Sequence, residues 1–268
     1  MSHSACNPSI RIIVNADDLG QSPNINAIIS RLIQMGRITS ATLLAVGPAF
    51  EEAVQVTTAF PGCSFGAHLC LSEFSPLTQV DVFRRLGLLD ERGFFNNRLR
   101  TISPSYAVLR AVIVEWCAQL ARMRDAGIPI SHLDSHHHVH TIPWLFPAVK
   151  FVQRRFNIRS VRRSMDLYGA GYDPPLSRRL EKALWNGSLR RIYATQTTDR
   201  FGELVVFDQL YREGHLPAGV QTYELMAHPG NRFYKDGTEM LQASTPPIWM
   251  NGEILCSYRT LGDVPNRR

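Results

Sequence analysis

Apolar and polar residues along this chain fall into short runs that switch between strand-like and helix-like periods. Ile10, Ile12, Ile13 and Val14 form a compact apolar run, as expected of a strand buried on both faces. The run leads directly into Asn15-Ala16-Asp17-Asp18-Leu19-Gly20. From Ser22 the period changes. Ser22 reads as an N-cap with Pro23 at the first helical position, and Ile25, Ile28, Ile29, Leu32 and Ile33 recur at helical spacing up to a stop at Gly36. A Thr- and Leu-rich strand follows at about 38–46, a helix at about 49–59, and a strand at about 64–71 that carries His68. Strand and helix alternating in this way predict a parallel sheet.

Residues 72–102 show no sustained period and read as a long loop or small subdomain. A helix is expected at about 104–126, capped by Ser103 and stopped by Gly127. A strand at 130–134 runs into Ser135-His136-His137-His138-Val139-His140, with a helix at about 143–156 and a strand at 158–162 beyond it. The pattern weakens over 164–202, apart from a basic helix near 177–190. A late strand, about 223–227, ends at His228-Pro229-Gly230. With no internal repeat and no low-complexity linker, the 268 residues read as one domain, 1–268, of the α/β class.

Composition narrows the classes. Hydrophobic residues make up 44% of the chain, enough for a core that needs no disulfide framework. The five cysteines (Cys6, Cys63, Cys70, Cys117 and Cys256) are odd in number and contain no CxxC pair, which points away from a disulfide scaffold or zinc ribbon and toward a reducing cytoplasm. The first ten residues are polar and unlike a signal peptide, and no stretch approaches the roughly 20 apolar residues of a membrane span. The formal charge is +6, carried mainly by arginines around 154–163 and 178–191 and by Arg267-Arg268. These read first as a solvated basic face and second as an attraction for an anionic surface. Aromatics are not interleaved with them, so nucleic acid is not an expected partner.

The candidate chemistry shares one address. Asp17-Asp18, His68, the His136–His140 cluster and His228 each fall near the C-terminal end of a predicted strand, where α/β barrels build active sites. Adjacent carboxylates repel unless a cation or proton separates their roles. Neighbours on a strand point to opposite sides, so one of the pair can ligate a metal while the other acts as base. Of nine histidines, four lie within five positions beside Asp134 and Ser135. An extended segment would align His136, His138 and His140, and a helical one would align His136 with His140. His132 and His137 read as ordinary core or surface residues, and His228 as a general acid or a turn residue. An Asp with two His suits one divalent ion, zinc or magnesium first, with manganese, cobalt or nickel also accommodated. Open positions on such an ion point to hydrolysis.

At these residues the chain resembles the YdjC-like family of carbohydrate deacetylases. The matching stretches are VNADDLGQSPNINAII, GRITSATLLAVGPAFEEAV, FGAHLCLSE, SHLDSHHHVHTIPWLFP and ELMAHPG, in family order from Val14 to Gly230. The resemblance implies a deformed, TIM-like (β/α) barrel with its active site at the C-terminal ends of the strands. It implies removal of an N-acetyl group from an amino sugar or glycoconjugate. Carried over by position, Asp18, His68 and His136 match the metal ligands and Asp17 matches the base. His138, His140 and His228 line the site or supply the proton donor, and Asp134 stands behind the ligands. A homodimer fits the family. Two departures stand out: Asn24 or Ile25 occupies the place of an expected glycine, and 164–202 matches only loosely. Competing readings are a phosphoesterase or sugar isomerase on the same site, and a carbohydrate-binding protein without turnover. A two-metal phosphoesterase usually needs more carboxylates than this pattern offers.

Overall fold

The computed structural model describes residues 10–169, 171–250 and 254–261. Its seven strands are β1 (Arg11–Leu19), β2 (Ser40–Leu43), β3 (Ser64–Leu69), β4 (Ile130–Ser135), β5 (Ser160–Val161), β6 (Arg200–Glu203) and β7 (Thr222–Ala227). They form one parallel sheet in the order β5-β4-β3-β2-β1-β7-β6. The helices are α1 (Pro23–Gln34), α2 (Phe50–Ala59), α3 (Val80–Arg85), α4 (Tyr106–Asp125), α5 (Phe146–Phe156), α6 (Leu176–Arg191), α7 (Leu204–Arg212) and α8 (Lys235–Gln242). No helix among the described residues is long and apolar enough to cross a membrane.

The sheet curls into a half-barrel. Laid flat, β5 and β7 would stand about 24 Å apart, five spacings of about 4.8 Å. Yet Arg162, just past β5, places its Nε 2.7 Å from Glu224 Oε1 on β7.

Strand alternation gives the curled sheet two unlike faces. Ile12, Val14 and Ala16 of β1, Ala41 and Leu43 of β2, Phe65, Ala67 and Leu69 of β3, and Leu225 and Ala227 of β7 belong to the main apolar core. The intervening positions Asn15, Asp17, Thr42, His68, Asp134 and Glu224 turn inward and join a buried polar network. β1 is buried on both faces, as its first residues suggest, but from Asn15 onward its inward positions are polar. Ile13 faces inward, where it meets Cys256, Tyr258 and Leu261. The C-terminal segment closes this interior. Ile12 N donates to Ile254 O and Cys256 N to Ile12 O, both at 2.8 Å, and the Tyr258 ring stacks on His132 with centroids 3.7 Å apart. Gly66 makes room for that stack, because a Cβ there would lie 2.4 Å from the His132 ring.

Several boundaries differ from the sequence reading. Ser22 caps α1 as expected, accepting from Ile25 N at 3.2 Å. For α4 the cap is Ser105 rather than Ser103: its Oγ accepts from Val108 N at 3.2 Å, so the helix starts where its buried stripe of Val108, Ala111 and Val112 starts. Segment 72–102 is not a plain loop, since it contains α3. The His136–Thr141 segment is neither extended nor α-helical. It forms a 3-10 turn kinked at His137 and His138, whose φ values are 53° and 54°. The cysteines Cys63, Cys70, Cys117 and Cys256 are free, and Cys6 lies outside the described residues.

Candidate metal and catalytic site

β1 delivers both carboxylates by breaking its own regularity. Asp17 keeps the inward parity of Asn15. Asp18 would face outward, but its φ of 68° and a register shift between Ala16 and Leu19 turn it back to the strand ends. There its Oδ1 lies 2.9 Å from His136 Nδ1 and 3.3 Å from His68 Nε2. One ligand atom from each of the three residues falls within 4.8 Å of the others, and all three side chains are buried. Asp18 Oδ1 has no aligned hydrogen-bond donor among the described residues, although two imidazole nitrogens surround it. A buried carboxylate oxygen set between two ring nitrogens is a donor set that fits a divalent cation.

Further side chains orient this trio. His68 Nδ1 lies 2.8 Å from Asp134 Oδ1, and Thr42 Oγ1 donates to Asp134 Oδ2 at 3.0 Å. His136 turns its other nitrogen, Nε2, to Glu73 Oε2 at 2.9 Å. Each imidazole thus has one nitrogen anchored on a carboxylate and the other aimed at Asp18, the arrangement common behind metal-bound histidines. The electrostatics favour positive charge here. Burial lowers the His68 pKa, but Asp134 and Asp18 raise it to about 10. Burial raises the Asp18 carboxyl, and the imidazoles of His136 and His68 bring it well below the usual range.

Beside the trio sits an arginine that the sequence reading missed. Arg162 is fully buried and grips Asp17 with two bonds, Nη1 to Oδ2 and Nη2 to Oδ1, each 2.7 Å. It also reaches Asp134 Oδ2 at 2.8 Å and Glu224 Oε1 at 2.7 Å. The second Glu224 oxygen accepts from the Tyr258 hydroxyl. Burial raises the Glu224 pKa to about 7, against the pull of Arg162. Arg162 belongs to a run taken as a solvated basic face, and for this residue that reading is corrected. The available signal was its place at the end of the 158–162 strand, the address shared by the other site residues. Glu224, alternating with Tyr223 and Leu225 on β7, carried the same signal. Glu73 carried only its place at the end of the matching stretch FGAHLCLSE, and Tyr258 had no signal.

The remaining candidates lie at different depths. His228 Nε2 is 3.8 Å from Asp17 Oδ2, its ring stacks on Tyr234 with centroids 4.2 Å apart, and its Nδ1 has no hydrogen-bond partner among the described residues. A cleft of about 290 Å³ opens beside it, lined in part by Glu203, Met226, Arg232, Phe233 and Tyr234. His140 is committed elsewhere: Nδ1 meets Ser135 Oγ at 2.5 Å and Nε2 meets Arg162 O at 3.1 Å. His138 is half-buried and edge-on to Phe201, with centroids 5.7 Å apart. His137 bonds Ser72 Oγ at 2.9 Å, and His132 is held in the Tyr258 stack.

Fold and site together define a parallel α/β half-barrel carrying an Asp–His–His cluster at the carboxyl ends of its strands. The chain belongs to the YdjC family: the model described as YdjC-like protein matches residues 11–251. A carbohydrate deacetylase of Geobacillus stearothermophilus is 39% identical over 152 residues, a match spanning 56% of this chain and 59% of that protein. A carbohydrate deacetylase of Listeria monocytogenes serotype 4b (strain CLIP80459) is 36% identical over 172 residues, spanning 62% of this chain and 67% of the relative. A solved structure from Enterococcus faecalis V583, named for cellobiose-phosphate cleavage, superposes with a TM-score of 0.68 over 94% of this chain and 99% of its own. At 21% identity that likeness establishes the fold.

Proposed function

We propose that this chain is a single-domain, metal-dependent deacetylase that hydrolyses the N-acetyl group of an amino sugar to acetate and a free amine. The observation that carries the reading is the Asp18 carboxylate set between His68 and His136 with Asp17 clamped beside it. The deacetylase relatives supply the bond to be cut. Asp18, His68 and His136 would hold the ion. When bound, a divalent ion at this point lowers the pKa of water and polarises an amide carbonyl.

The chain's own groups do the rest. Asp134 and Glu73 fix the tautomers and orientations of the two ligand imidazoles. Asp17 accepts the proton of the attacking water. Arg162 fixes the plane of that carboxylate with two bonds, and Asn15 Nδ2 donates to Oδ1 at 2.8 Å, so Oδ2 is the oxygen that keeps a lone pair for the water. His228, beside Asp17 and on the cleft wall, gives a proton to the departing nitrogen.

The test is acetate release from a panel of N-acetylated amino sugars with zinc, magnesium, manganese, cobalt or nickel, run beside Asp17→Asn. The variant is expected to lose about 10²- to 10⁴-fold in turnover, the usual worth of a positioned base. Near-normal turnover in Asp17→Asn removes the base assignment. Phosphate release from sugar phosphates without acetate release replaces the deacetylase reading with a phosphoesterase.

A further inference from the structure

We infer that the outer face of α6 is a contact surface for an anionic lipid bilayer. The helix is amphipathic on two sides. Its inner side buries Trp185, Asn186 and Leu189. Trp185 packs edge-on to Phe146, with centroids 5.1 Å apart, and Asn186 Oδ1 accepts from Ser164 N at 2.8 Å. At about 100° per residue, Leu176, Leu180 and Leu184 fall within an arc of about 80° on the opposite side. They are 69%, 56% and 72% exposed. Single exposed leucines are ordinary, but a row of three along one helix face calls for a partner.

The charge around the row identifies that partner. α6 carries Arg178, Arg179, Lys182, Arg190 and Arg191 with one acid of its own, Glu181, while Asp173 and Asp199 beside it pair with Arg179 and Arg190. Leucines on one side with flanking arginines are the pattern of a helix lying in the plane of a membrane interface, apolar side down and cations among the phosphates. Pairing two copies through this face would bring two such basic helices together. An anionic surface satisfies the leucines and the arginines at once.

The helix also lies at the rim of the candidate site. Trp185 on its inner side stands edge-on to His140, with centroids 6.5 Å apart, and Arg100 donates from Nη2 to the carbonyls of His137 and His138, at 2.7 and 2.9 Å. A bilayer under α6 would therefore lie beside the strand ends that carry the site.

Vesicle co-sedimentation of the full chain tests this. The protein is expected to sediment with vesicles of phosphatidylcholine mixed with phosphatidylglycerol, to leave pure phosphatidylcholine vesicles, and to be released by salt. Leu176→Ser, Leu180→Ser and Leu184→Ser together should lower vesicle affinity by about tenfold or more, with circular dichroism unchanged. Arg191→Gln, within the leucine arc, should lower it by about fivefold. Equal binding to neutral and anionic vesicles overturns the inference, and so does a leucine variant that binds like the parent. If the parent ignores vesicles and the leucine variant turns a dimer into a monomer by sedimentation velocity, the row is a contact between copies instead.

Discussion

The two faces of the curled sheet are made from the same strands by opposite chemistry. Outside, Val14, Ala16, Leu43, Ala67, Leu69 and Leu225 pack beneath helices, where any apolar group of similar volume would serve. Inside, one guanidinium serves three carboxylates and each contact depends on the next. The outer face gains stability by excluding water. The inner face holds charges that are costly to bury and are tolerable only as a connected set. The difference explains why candidate chemistry appears on every second residue of a strand, and why the sheet must curl before the site exists.

The inner face is most vulnerable at Arg162. Arg162→Met leaves Asp17, Asp134 and Glu224 buried without their shared cation. Breaking such a set is expected to cost about 3–5 kcal/mol, read as a shift in the urea midpoint. Activity should fall further than stability alone explains. Leu225→Ala on the outer face should cost about 2–5 kcal/mol by leaving a cavity. Its turnover per folded molecule should stay that of the parent. Equal losses of turnover in the two variants would erase the distinction between the faces.

A smaller effect separates the faces by pH. Burial depresses the His132 pKa from 6.5 to about 3, so the folded state keeps this ring neutral where the unfolded chain protonates it. The sign follows directly. Between pH 6.5 and 3 the unfolded chain binds the extra proton, so the stability present above 6.5 is lost as pH falls. His132→Phe keeps an aromatic partner for Tyr258 and removes that proton. Denaturation at pH 7 and pH 5 should show the variant's stability declining less, by about 1.4 kcal/mol per pH unit at most.

How much of this was legible depended on whether a residue's chemistry was visible from its neighbours in sequence. Asp17-Asp18 and the histidine run stand out because adjacent like groups need a reason. His68 gained standing only from its strand-end position. The parallel α/β order followed from changes of period. Arg162 stayed hidden because arginines are normally solvated and four others lie close by in sequence, at 154, 155, 159 and 163. Its burial is a consequence of curl, which brings β5 across to β7 and has no local signature. The turn at His136–Thr141 was misread because two left-handed residues break both periods at once. Tyr258 acts on His132 and Glu224 from far along the chain, and only tertiary structure reveals it.

In the proposed division of labour on the inner face, Asp18, His68 and His136 bind the ion and Arg162 holds Asp17 apart from it. The most direct measurement is metal content after loading with zinc and exhaustive dialysis, by elemental analysis of the parent, Asp17→Asn and His136→Ala. One equivalent is expected in the parent, one in Asp17→Asn, and almost none in His136→Ala. A full equivalent in His136→Ala, or an Asp17→Asn protein as empty as it, would contradict the division.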